Sequence, residues 1–149
     1  MIKLLNYFLQ SFFVYLFFLF GRLLGLRLSR KVFAYFFLKV GPLFRSDKTI
    51  NNNLKICRDT GIDLNQRKIT ENMWKNYGIT FIEYIFLKYF KKNHSHINIK
   101  GEEILLQIKD KKKPVIFISG HFANYELMSM EITKKNIKLA TIYRPLNNF

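Results

Sequence analysis

Val115-Ile116-Phe117-Ile118-Ser119-Gly120-His121-Phe122-Ala123-Asn124-Tyr125-Glu126 is the stretch on which the reading of this chain turns. Four consecutive apolar residues predict a strand buried on both faces. Ser119-Gly120 ends it, Asn124 to Lys135 carries a helical pattern, and Ile137 to Tyr143 reads as another strand. Strand, turn, helix, strand is a βαβ unit, so a parallel sheet with a right-handed crossover is expected.

Upstream, His96-Ile97-Asn98-Ile99 alternates like a strand and ends at Gly101. Glu102 to Lys109 places Ile104, Leu105 and Ile108 at helical spacing, before the solvated run Asp110-Lys111-Lys112-Lys113-Pro114. Thr49 to Thr60 predicts a short helix through Ile50, Leu54 and Cys57, stopped by Gly61, and Asp63 to Asn65 is a connector. From Thr70, read as an N-cap, a longer helical pattern runs through Met73, Trp74, Tyr77, Phe81, Ile82, Ile85, Phe86 and Tyr89 to the basic end Lys88-Lys91-Lys92. Gly78 is a candidate bend.

The first 44 residues have a different character. Leu4 to Phe20 is apolar except for Asn6, Gln10 and Ser11, a run of about 17 residues against the roughly 20 that cross a bilayer as a helix. No small-residue cleavage site comes after it at Gly21-Arg22-Leu23-Leu24, which argues for a permanent anchor rather than a removable signal. Arg22, Arg27, Arg30 and Lys31 outweigh Lys3, and the positive-inside rule then puts the rest of the chain in the cytoplasm. A second apolar stretch, Val32 to Phe44, holds Phe33, Phe36, Phe37 and Val40 on one stripe and reads either as an interfacial helix or as a core helix. The expected division is residues 1–28 as membrane anchor and 29–149 as the N-terminal part of an enzymatic domain.

The chain has 149 residues, 49% hydrophobic, with 25 Lys+Arg against 10 Asp+Glu and a formal charge of +15. That hydrophobic content excludes a disordered chain, and the charge asks for an anionic partner without choosing between lipid, acidic protein and nucleic acid. A single cysteine, Cys57, excludes an internal disulfide or a cysteine-based zinc site.

In open α/β sheets reactive groups sit beyond the C-terminal ends of strands, where Gly120 to Glu126 falls. Gly120 is expected to relieve the backbone at the strand exit, and His121 is the side chain suited to proton transfer near neutrality. Five positions along one helix would separate His121 and Glu126 by about 140°, so His121 belongs in the loop and Glu126 in the first helical turn. The carboxylate would then orient the imidazole, leaving the other ring nitrogen as general base, and no protein nucleophile emerges from the pattern. Alone, a glutamate at a helix start is equally a dipole-compensating surface residue.

Residues Val115 to Met128, with Ile142-Tyr143-Arg144-Pro145-Leu146-Asn147-Asn148 after them, resemble the bacterial lipid A biosynthesis acyltransferases, the lauroyl and myristoyl transferases. The resemblance continues through Gly101-Glu102-Glu103, the helical region Glu71 to Phe86 and the hydrophobic N-terminus. An H-x-x-x-x-E motif preceded by Gly distinguishes this family from glycerolipid acyltransferases, which usually show Asn-His and then Asp. The resemblance implies a partial sheet of the glycerolipid-acyltransferase type behind the anchor. It also implies transfer of a fatty acyl group from an acyl carrier protein thioester to a hydroxyl of a lipid A precursor, at the cytoplasmic face of the inner membrane. His121 takes the role of general base and Glu126 that of its orienting partner. Arg144 would bind an anionic phosphate or steady the substrate, and Asn124 would offer a polar or oxyanion contact. No cofactor or metal is implied. Family members usually continue for about as many residues again, so the chain reads as an N-terminal portion.

Three other readings stand beside it. One is a non-catalytic basic module for anionic lipid or RNA, supported by Tyr and Lys interleaving from Tyr84 to Lys92, although no nucleic-acid motif accompanies it and nucleic acid is not an expected partner. Another is an acyltransferase with a different lipid acceptor. The last is a metal site from His94, His96 and His121, which lacks a carboxylate set.

Overall fold

The computed structural model describes residues 2–45, 47–59, 61, 65–93, 97–111 and 113–142. The element order is α1 (Ile2–Val40), α2 (Asp47–Arg58), α3 (Gln66–Glu83), α4 (Leu87–Lys92), α5 (Glu102–Lys111) and α6 (Glu126–Lys134), with single 3-10 turns at Gly41–Leu43 and Tyr84–Phe86. The chain divides into two compact units, Met1–Leu87 and Lys88–Phe149.

α1 is not one rod. Gly25 has φ 72° and ψ 167°, a region essentially closed to residues with a Cβ, and it breaks α1 into legs 2–24 and 26–40. Phe17 and Phe33 are sixteen positions apart, about 24 Å along a straight helix, yet their ring centroids lie 6.0 Å apart, and Phe17 to Phe36 is 5.5 Å. The legs therefore fold back against each other as a helical hairpin.

α3 packs along the second leg in the opposite direction. Arg30 Nη2 pairs with Glu83 Oε1 at 2.6 Å, Phe33 and Phe37 meet Phe81 at 6.1 and 5.5 Å, and Gly41 faces the Trp74 ring. The close approach is made at Gly78, where a Cβ would stand 2.2 Å from the Phe33 carbonyl oxygen. Gly78 thus serves contact rather than bending, and α3 runs through it unbroken. α3 also begins earlier than Thr70, because the Asn65 side chain accepts from the Lys68 amide at 3.0 Å and caps the first turn. Phe33, Ile50, Trp74 and Ile82 are the buried apolar side chains of this unit. The stripe read from Val32 to Phe44 is split: Phe33 faces α3, whereas Phe36 is exposed.

In the second unit Phe90 and Ile132 are buried. The Lys134 ammonium donates to the Phe90 carbonyl oxygen at 2.7 Å and to Glu131 Oε1 at 2.5 Å. The Phe90 carbonyl belongs to the last turn of α4, where helical carbonyls lack an intrahelical donor, so Lys134 ties α6 to the end of α4. Lys135 pairs with Glu102 at the start of α5. α6 is closed by Asn136 in the left-handed region, φ 61°, a usual helix stop.

The α/β expectation is corrected: no strand and no sheet occur among the described residues. Residues 97–99, 113–122 and 137–142 carry no regular element. The physical reason lies in partners, since a strand exists only through a ladder with a neighbour, and apolar runs as short as Val115 to Ile118 do not by themselves separate strand from other states. Ile116 is 88% and Ile118 93% exposed, the opposite of a strand buried on both faces. The βαβ unit is therefore absent among the described residues, although its helix is present as α6.

Candidate functional site

Residues 113–122 run without regular structure into α6. The Phe122 amide donates to the Gly120 carbonyl at 2.9 Å, an i to i+2 bond that puts His121 at the apex of a three-residue turn. Gly120 itself lies outside the left-handed region. A Cβ there would stand 2.5 Å from the Phe122 ring, which is 83% exposed and has room to turn aside. The left-handed residue is Ala123, φ 46°, which redirects the chain into the helix. Leu127 and Met128 then donate to the carbonyls of Asn124 and Tyr125, at 3.2 and 3.1 Å, and α6 begins.

This backbone puts His121 outside the helix and exposed, and Glu126 at the first residue of α6, half-buried. A carboxylate there meets the positive end of the helix dipole. The imidazole lies against the ring of Tyr125, centroids 4.2 Å apart at 53°. Tyr125 is the group that sequence reasoning passed over, and only the i, i+4 spacing signals it, since a turn between the two positions makes that spacing unreliable. Asn124 is half-buried, with its side-chain oxygen closed off from solvent.

Arg144 lies outside the described residues, as do His94 and His96. Among the described residues no group of three His, Cys, Asp or Glu side chains is placed to hold a metal. Chemically, the arrangement offers an accessible imidazole with a phenol ring tilted against it and a carboxylate one position further on.

The first unit contributes a surface rather than a site. Every residue from 3 to 13 is exposed, and one segment among those described, Lys3–Leu43, is long and apolar enough to cross a membrane, with a mean hydropathy of 1.7 in its most apolar window. An open cleft lined by Ile50, Asn51, Gln66, Arg67, Thr70 and Glu71 also lies in this unit.

Residues 2–149 match the family described as bacterial lipid A biosynthesis acyltransferase. No curated protein and no solved structure matches the chain.

Proposed function

The chain belongs to the bacterial lipid A biosynthesis acyltransferase family, and we propose from that premise that it moves a fatty acyl chain from an acyl carrier protein thioester to a hydroxyl of a lipid A precursor. In this reading a nitrogen of the His121 ring takes the acceptor hydroxyl proton as the oxygen attacks the thioester carbonyl. The tetrahedral intermediate collapses, the carbon–sulfur bond breaks, and the imidazolium returns the proton to the departing thiolate. Glu126 stabilises the imidazolium, and Arg144 steadies an acceptor phosphate. Asn124 supplies a polar contact.

The observation that carries the reading is the turn that leaves His121 exposed ahead of Glu126 at the start of α6. Membrane association is supported by the apolar first leg, and the basic residues behind it support the inner membrane with a cytoplasmic site. A charge of +15 suits both an anionic lipid acceptor and an acidic carrier protein.

The test is acyl transfer from radiolabelled carrier-protein and coenzyme A thioesters to a panel of lipid acceptors, in membranes containing the chain. His121→Ala should lower turnover by about two to four orders of magnitude, the usual contribution of a general base. Turnover retained by His121→Ala removes it as the base, and transfer only to another acceptor replaces the lipid A precursor.

A further inference from the structure

The second leg of the hairpin has two different faces. Ser29 and Phe33 are buried, Phe33 between Phe17 of the first leg and Phe81 of α3. On the other side Leu28, Lys31, Tyr35 and Lys39 succeed one another at intervals of three and four, all exposed, and so share one stripe of the helix. The 3-10 turn Gly41–Leu43 follows, and Leu43 and Phe44 at its end are each 83% exposed. The Lys39 ammonium sits 5.6 Å from the centre of the Tyr35 ring.

We infer that this outer stripe lies on an anionic bilayer surface, Lys31 and Lys39 meeting lipid phosphates while Tyr35, Leu43 and Phe44 enter the boundary between headgroups and acyl chains. The inference rests on the membrane-bound reading above and adds a second contact to it. Alternation of apolar, basic and aromatic groups along one face is the composition of an interfacial helix, with lysine stems over apolar surface and an aromatic ring at headgroup depth. No acidic residue precedes Asp47, so the segment is complementary to an anionic surface and repels a second copy of itself. The first leg is covered on one side from Phe17 to Gly21, where it meets Phe33, Phe81 and Ile82, but residues 3–13 expose apolar side chains around the whole circumference, and a protein groove covers a stripe rather than a circumference. Lipid covers both.

The test places a single cysteine bearing an environment-sensitive fluorophore in the full chain with Cys57→Ser, which removes the exposed native thiol. Labels at Tyr35→Cys and Phe44→Cys are compared with Phe8→Cys on the first leg and Lys55→Cys on α2. The proteins are bound to phosphatidylcholine vesicles with phosphatidylglycerol, or without it. Expected is quenching at 35 and 44 by lipids with a nitroxide high on the acyl chain, and shielding from an aqueous quencher, with label 55 showing the reverse. Lys31→Gln with Lys39→Gln should lower the docked-to-undocked ratio of the second leg roughly thirtyfold, from ~1 kcal/mol per lysine at an anionic surface, without altering label 8. Lipid quenching at 8 with aqueous quenching at 35 and 44 overturns the inference and leaves the anchor standing. Aqueous quenching at all three overturns both. Shielding of 35 and 44 that persists without lipid and depends on protein concentration assigns the stripe to a second copy and also overturns it.

Discussion

Gly78→Ala sets two effects of opposite sign against each other at one position. In an exposed helix interior, replacing glycine by alanine stabilises by about 1 kcal/mol. At Gly78 the added Cβ would stand 2.2 Å from the Phe33 carbonyl oxygen, 2.7 Å from its carbon and 3.0 Å from Phe37 Cβ. The first two are backbone atoms in the middle of a helical leg, so no side-chain rotation removes the clash. An ordinary contact requires the second leg to move by about 1 Å, which pulls Phe33 and Phe37 away from Phe81. Overpacking costs about 1–3 kcal/mol, and each weakened aromatic pair adds about 0.5–1 kcal/mol. Net of the propensity gain, Gly78→Ala should destabilise by about 2 kcal/mol, a fall in Tm of roughly 6 °C for a chain of this size. The assay is thermal melting of the full chain in detergent by circular dichroism, with Asn76→Ala as the control on an exposed position of α3. The control should melt at or slightly above the parent. A Gly78→Ala protein that also does so would refute the close approach of α3 to the second leg.

Gly25→Ala forces a Cβ into φ 72°, ψ 167° and should cost about 1–3 kcal/mol; an unchanged melting temperature would mean that the hairpin does not turn there. Lys134→Met keeps the stem but removes the ammonium between Glu131 and the Phe90 carbonyl. A cost of about 3 kcal/mol is expected for breaking a buried pair, seen as faster amide exchange in α6 with α3 unaffected, and equal protection in both proteins counts against the tie. Tyr125→Leu removes the ring against His121 and should reduce acyl transfer severalfold, since such aromatic contacts are worth about 0.5–1.5 kcal/mol, without lowering the melting temperature; full activity would show the contact to be incidental.

The helices were legible where the pattern was local. Ile50, Leu54 and Cys57 at helical spacing lie on α2, and Ile104, Leu105 and Ile108 lie on α5. The break between His121 and Glu126 was legible as well, because five positions on a continuous helix point apart by about 140°, and the turn at Gly120 to Ala123 falls where that arithmetic requires. The hairpin was not. Gly25 sits between Leu24 and Leu26 in an apolar run, and a lone glycine in such a run is usually only a weak spot in a helix. The information that bends the chain lies in the packing of Phe17 on Phe33 and Phe36, which no local window contains. The strands failed for the converse reason. Val115 to Ile118 has the composition of a strand, but pairing is a property of two segments, and one segment's composition cannot supply the other.

The same distinction separates the motif from what holds it. Gly120, His121 and Glu126 are close in sequence, so their relation is fixed by one turn and the start of one helix. The direction of that helix is fixed elsewhere, by Lys134 reaching the Phe90 carbonyl and by Lys135 reaching Glu102. Both tethers act at the C-terminal end of α6, and Glu126 stands at the N-terminal end, so a rotation allowed at one end is carried along the whole helix to the carboxylate. In the proposed reaction, where Glu126 orients His121, the geometry tolerates little of it, since an error of about 1 Å is enough to cost two orders of magnitude in rate. A lysine on the last turn of α6, a full helix length from Glu126, is therefore expected to matter for turnover as well as for stability. Its effect should fall on kcat more than on KM, because it changes where the carboxylate stands rather than what the substrate touches.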